Sequence, residues 1–476
     1  MNMFDDNLKR YEAARADGSH IYMEPDDLAD IAEYYHQHGR QQEAFEAVDL
    51  AISMFPGATV PLAFRARLAI LVDHNTGEAQ RWADQIADKS DLEYHYIVAE
   101  IMVADMQPDE ADEYLNGVLP TLDDDEAEDF YLDVATLFAD YSYADLTERW
   151  LSRSSETDDA QYRELQGRIA LARGQWDEGE CLLNGLIDED PYNTDYWNSM
   201  ALLQYQKNDL PASVESSDYA LAIDPSCAEA HLNKGNALAL MGRYDEALGY
   251  YDTYRRLQPY SESGDMGIAS VLTAQNKFDE ALSHLRRAEQ LAPAASANAL
   301  EIMRQQCILN AQVGNHAEAL ANIRRMDEHP DHNTAENNVM RGYMFLIENQ
   351  PDKARAWFMR AMEASAGDLH VQTLIAYSTY ECGYTQFAHD LFIEIMQSAL
   401  SRSVPEGWAF LALCDADLGL RSDFLEHLHR AMAHPSPHAQ ALLEGLFPQG
   451  LPYERYEDYA RQHPEMAQWP AADDTP

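Results

Sequence analysis

The sequence predicts an all-α protein, an α-solenoid of about twelve helix–turn–helix repeats. Three observations predict it. A short motif, clearest as GRYDEAL at 242–248, returns about every 34 residues. Small residues recur at fixed offsets on both sides of each copy. Prolines 191, 225, 259 and 293 fall 34 residues apart, each where a second helix should stop.

The copies begin at 39, 74, 106, 141, 174, 208, 242, 276, 314, 349, 383 and 419, with one longer step between Ala281 and Ala319. The first position is Gly or Asn in nine of the twelve (Gly39, Gly174, Asn208, Gly242, Asn276, Gly314, Asn349, Gly383, Gly419). These residues tolerate the left-handed backbone that ends a helix, so each marks a turn. Five residues on stands a small residue, as at Ala44, Gly179, Ser213, Ala247, Ala281 and Ala354. Seven residues before the turn stands another, as at Ala32, Gly167, Gly235, Ala269, Cys307 and Gly342. Small residues on both sides of a turn let two antiparallel helices approach. Arg67, Leu146 and Phe424 occupy columns that should be small, so those repeats are expected to be bent or misregistered. Between turns the apolar residues keep helical spacing: Ala247 and Leu248 stand 4 and 3 residues before Tyr251, and Tyr254 and Leu257 follow at further steps of 3. Each helix should hold about 13 residues, or about 20 Å.

The chain divides by pattern into an N-terminal capping helix (1–24), divergent acidic repeats (25–158), four regular repeats (160–295), divergent repeats (300–436), and C-terminal capping helices with a tail (437–476). Phe4, Leu8 and Tyr11 share one face of the first cap, and PAADDTP at the end reads as disordered.

In HLNKGNAL, ALGYY and LQP of 228–259, and in YWNSMALLQY followed by SVESSDYALAIDP in 196–225, these columns resemble the tetratricopeptide repeat family. The resemblance extends over nearly the whole chain. DLADIAEYYHQHGRQQEAFEAVDLAISMFP also resembles opening repeats of cytosolic bacterial members. It implies a right-handed superhelix whose first helices line a concave surface that holds a peptide or helical segment. The positions that map there are Gln161, Glu164 and Arg168; Asp195, Asn198, Leu202 and Tyr205; Glu229, Leu232 and Asn236; Met266 and Ser270; Arg304 and Ile308; Val339 and Tyr343. Of these, Arg168, Asn198, Leu202, Tyr205, Glu229, Leu232, Asn236, Met266, Arg304 and Tyr343 are the candidate partner-binding residues. Each has an alternative reading as a solvated or inter-repeat packing residue. Asn can pair with a peptide backbone through donor and acceptor, and Tyr offers a flat face with a polar tip. The Lys/Asn/Arg set of members that clamp an acidic carboxyl terminus is missing. So is the asparagine ladder of members fused to a sugar transferase: that column reads Leu165, Ser199, Asn233, Gly267 and Gln305.

There are 83 acidic and 33 basic residues, a formal net charge of −50. Residues 1–250 hold 52 acids against 16 bases, and 101–150 hold 15 against one. Such a surface repels phosphate backbones, so no direct nucleic-acid binding is expected. It either attracts a basic partner protein or keeps an elongated array soluble. No stretch approaches a membrane span, and the acidic amino terminus lacks the apolar run of a signal peptide. Cys181, Cys227, Cys307, Cys382 and Cys414 lack paired spacing and read as buried free thiols in a reducing cytoplasm. A cytoplasmic location follows.

Catalytic features are sparse. His427, His429, His434 and His438 cluster in EHLHRAMAHPSPHAQ, but Pro435 and Pro437 break the helix before His438, so a shared metal is not expected. HQH at 36–38 puts its rings on different faces, and Asp123–Asp125 read as a solvated linker. With the chain given over to repeats, no enzyme, cofactor or metal is expected.

Overall fold

The computed structural model describes residues 3–19, 21–294, 296–398, 404, 406–434, 437–448 and 450–463. The tail PAADDTP lies outside them. Among the described residues a first helix, α1 (Met3–Asp17), precedes twelve helix pairs. The first four are α2 (Pro25–Gln37) with α3 (Gln41–Met54), α4 (Thr59–Leu71) with α5 (Thr76–Ala83), α6 (Leu92–Ala104) with α7 (Pro108–Val118), and α8 (Asp124–Asp140) with α9 (Ala144–Leu151). The next four are α10 (Ala160–Ala172) with α11 (Trp176–Glu189), α12 (Thr194–Gln206) with α13 (Leu210–Ile223), α14 (Ala228–Leu240) with α15 (Tyr244–Leu257), and α16 (Ser263–Ala274) with α17 (Phe278–Leu291). The last four are α18 (Ala297–Gln312) with α19 (His316–Glu328), α20 (Thr334–Ile347) with α21 (Pro351–Ala364), α22 (Leu369–Glu381) with α23 (Thr385–Gln397), and α24 (Gly407–Leu418) with α25 (Arg421–Ala433). Then come α26 (Pro437–Glu444) and α27 (Tyr456–Gln462). The pairs form two compact units, 1–293 and 294–476.

The pair α14–α15 shows why the sequence folds this way. Gly242 takes φ +74°, and the Arg243 N–H returns to Leu238 O at 2.9 Å, closing the helix end. Asn208, Asn276 and Asn349 hold the same left-handed position at φ +63°, +58° and +55°. Beyond the turn, Ala247 is fully buried against the preceding helix. Each of Pro191, Pro225, Pro259 and Pro293 stands two residues after the last residue of its second helix. The longer step after Ala281 is taken up partly by α18, which at 16 residues is longer than the other first helices of its unit.

Two expected departures are register slips. In the fourth pair the left-handed residue is Ser142 (φ +63°), not Tyr141, and the Tyr143 N–H returns to Phe138 O. The small column therefore falls on Thr147, 1% exposed, and Leu146 lies beside it. In the second pair the turn holds one extra residue: His74 is left-handed (φ +47°), and the Asn75 N–H reaches back to Ala69 O. Counted from the helix end, the column falls on Ala66, fully buried, and Arg67 is free to bind Glu100 at 2.9 Å and Glu93 at 3.4 Å. Phe424 does occupy a small column, 4% exposed within the α24–α25 core. The run Asp123–Asp125 is no linker: Asp123 caps α8, accepting from the Glu126 N–H at 3.0 Å while Glu126 accepts from the Asp123 N–H at 3.1 Å.

Within each unit the first helices gather on one side. α2 meets α4, α4 meets α6, α8 meets α10, α12 meets α14, α14 meets α16, and α20 meets α22. Among the described residues the second helices of these successive pairs make no comparable approach. An array bends toward the side where its neighbours are closest, so the first helices form the inner face.

Candidate functional site

Two grooves open on first helices. In the first unit a cavity of about 310 Å³ lies across α8, α10 and α12, bordered by Asp140, Arg168, Ser199, Leu202 and Gln206. In the second unit a cavity of about 360 Å³ lies across α18, α20 and α22. Its floor is Cys307, Val339, Met344 and Leu374, and its rim carries Arg304, Glu336, Tyr343, His370 and Glu381. Both are shallow, apolar at the bottom and charged at the rim, which suits a side chain presented by an extended or helical segment.

The expected residues divide between these grooves and the packing beneath them. Arg168, its guanidinium 2.8 Å from Asp140, and Leu202, 39% exposed, border the first groove. Arg304, Ile308, Val339 and Tyr343 line the second. Arg304 donates to Glu336 at 3.1 Å, and the His370 ring lies 3.6 Å from the same carboxylate. Burial pushes the Tyr343 phenol up. Val339 itself is 4% exposed and belongs to the floor. Glu229, Asp195, Gln161 and Ser270 are exposed; Glu164, Tyr205, Leu232 and Met266 are half-buried. Burial raises the Glu164 carboxyl and the Tyr205 phenol above their ordinary values.

Two asparagines are used internally. Asn198 is 9% exposed and its Nδ2 lies 3.0 Å from Cys227 Sγ, tying the sixth pair to the seventh. Asn236 accepts the Tyr251 hydroxyl at 2.8 Å, although its side chain is still partly open. The reason is geometric: a first helix turns the same face toward its neighbour and toward the groove, so adjacent positions divide between the two tasks.

Sequence reasoning missed a set of buried carboxylates. Asp265, fully buried at the start of α16, is met by His284 at 2.7 Å, Arg287 at 3.3 Å and Arg255 at 3.5 Å. Asp415, also fully buried, lies between His389 at 3.1 Å and His427 at 2.6 Å. His427 is thus a packing residue stacked on Trp408, and His429 binds Glu457 at 2.9 Å. His434 closes α25, and the His438 side chain lies outside the described residues. His36 pairs with Gln41, and His38 with the Tyr34 carbonyl. The free cysteines are also not uniform: Cys227, Cys307 and Cys414 are buried and Cys382 half-buried, whereas Cys181 is exposed, against expectation. Among the described residues no helix is long and apolar enough to cross a membrane.

Residues 198–262, from within α12 to the residue before α16, match the family model described as Tetratricopeptide repeat. No curated protein matches the sequence. Among solved structures the chain is similar to the Cut9–Hcn1 assembly of the APC/C at 15% identity, covering 88% of this chain and 89% of that one with a TM-score of 0.41. A tetratricopeptide repeat protein from Parabacteroides merdae is 16% identical over 53% of this chain and 99% of its own, with a TM-score of 0.40. YrrB, described as a TPR protein with an unusual peptide-binding site, is 22% identical over 40% of this chain and 95% of its own, with a TM-score of 0.31. The family match thus falls on the central pairs, residues 198–262, and the same helix pair recurs on either side of them.

Proposed function

We propose that the chain is a non-enzymatic scaffold that holds a peptide or helical segment of a partner protein on the inner faces of its first helices. The observation that carries this reading is the recurrence of a groove on equivalent helices in both units, each with a large apolar side chain left in solvent: Leu202 and Ile308, both 39% exposed. A half-exposed aliphatic residue beside charged rims is suited to burial by a partner. The test is affinity capture with the full chain, its Leu202→Glu and Ile308→Glu variants, and Tyr192→Glu, in the turn after second helix α11, as control. Tyr192 is 79% exposed. The reading expects a partner retained by the control and lost from at least one inner-face variant. Equal retention by all of them would sink it.

A second reading has its own observation. An open cleft of about 700 Å³ on α6 and α7 carries Glu110, Glu113, Tyr114 and His95. Arg149, the single base within 101–150, is already committed to Asp112 at 2.7 Å. That cleft would dock a basic partner protein, in the manner of a regulatory or assembly subunit. Its binding should weaken steeply from low to moderate salt, and a flat salt response would exclude it.

A further inference from the structure

The first unit contains two contacts that stacking of neighbours does not make. The His74 Nε2–H donates to Leu291 O at 2.8 Å, across 217 residues of chain. Gly39, at φ +68°, lies so close to the end of α15 that a β-carbon there would stand 2.0 Å from Leu257 O. Leu257 and Leu291 are the last residues of α15 and α17. Gly39 and His74 are the left-handed residues of the first two turns. Two consecutive turns therefore meet two consecutive helix ends in one register.

The chemistry of each contact suits its place. Carbonyls in the last turn of a helix lack intrahelical donors and carry the negative end of the dipole. Pro259 and Pro293, two residues on, have no N–H to offer. His74 is a non-glycine residue at positive φ in a column otherwise dominated by Gly and Asn. Its bond to Leu291 O accounts for a histidine there. At Gly39 no other residue fits without moving the α15 end.

We infer that the first unit is latched: its first and second pairs lock onto its seventh and eighth, closing one turn of the array. In an open array each repeat answers only to its neighbours, and terminal repeats fray independently. The latch instead makes the two ends of this unit open together. It also sets how the inner face is reached, since a segment without a free end enters only when the latch parts. That last consequence rests on the inner-face reading above; the latch itself does not.

The experiment is hydrogen–deuterium exchange on the full chain and three variants, and it needs no partner. His74→Ala removes the donor at an exposed site. Gly39→Ala places a β-carbon against Leu257 O. Gly242→Ala is the control, at φ +74° with nothing within 4 Å of its added carbon, so it carries the backbone strain alone. His74→Ala and Gly39→Ala should each speed exchange at the remote helix ends, 252–262 and 288–294, by about fivefold, the loss of one net hydrogen bond. Gly242→Ala should leave 288–294 at the wild-type rate. Changes confined to the mutated turns, with both helix ends unaltered, would overturn the latch. If Gly39→Ala fails to fold, His74→Ala decides the matter alone.

Discussion

The ring of Tyr251 occupies the space that a side chain at Gly267 would need: a β-carbon there would lie 2.4 Å from Tyr251 Cε1. Gly235 also faces the ring, where a β-carbon would lie 2.8 Å from the same Cε1. One aromatic residue thus fills the gap between a helix of its own pair and a helix of the next, with its hydroxyl anchored on Asn236.

Gly267→Ala and Gly235→Leu should each cost about 1–3 kcal/mol, the usual loss for overpacking. Tyr251→Phe keeps the ring and should cost only about 0.5–1.5 kcal/mol for its hydrogen bond. Urea titration followed by circular dichroism checks the order. A Gly235→Leu midpoint equal to wild type would show that the column is not tight.

Asp265→Ala should destabilise the first unit by about 2–4 kcal/mol, because it strands the partly buried Arg255 and His284 beside a new cavity. The half-exposed Arg287 can turn to water, which keeps the figure below that of a fully buried set. Glu246→Ala breaks an exposed i,i+3 pair with Arg243 and should leave the midpoint unchanged. Thermal melts of the two variants side by side make the comparison.

The pH response of Glu164 follows from its burial, which raises its carboxyl above the ordinary value. A raised folded value means the native state holds a proton that the unfolded chain has released. The stabilising contribution is therefore complete below the unfolded value, near about 4.5, and is lost as pH rises through the folded value. Glu164→Gln should melt higher than wild type at pH 7, and the advantage should vanish toward pH 4. An advantage independent of pH would assign it to something other than the charge.

Thiol reactivity should separate the five cysteines. Burial pushes the Cys307 thiol up to about 12 and the Cys382 thiol up to about 11, which suppresses their thiolates. Cys181 is exposed on α11. A native-state titration with a thiol reagent should show one fast equivalent, absent in Cys181→Ser. Five equivalents released together would mean that the pairs open on the reagent's timescale.

The twelve turns were legible because a left-handed residue is a local demand that only a few residue types meet cheaply. Where Ser142, Met106 and His74 meet that demand instead, the pattern dims, and at 142 and 74 it slipped by one residue. The small columns survived because close helix approach leaves no other choice at Ala66, Thr147 and Gly342. The buried charges at Asp265 and Asp415 were not legible, since acids and their partners look like any solvated pair until the fold buries them. The same holds for His74 and Leu291, whose contact no local pattern encodes. On the candidate faces, spacing told which helix a residue sits on but not which way it turns. Asn198 therefore went to packing, and Leu202, one turn on, went to the groove.

The most direct test of the central claim is hydrogen exchange on the full chain with a captured partner bound. The account predicts protection over the first helices α8, α10 and α12, or α18, α20 and α22, with α11, α13, α19 and α21 unchanged. Protection confined to the second helices, with the inner helices exchanging as in the free protein, would contradict it.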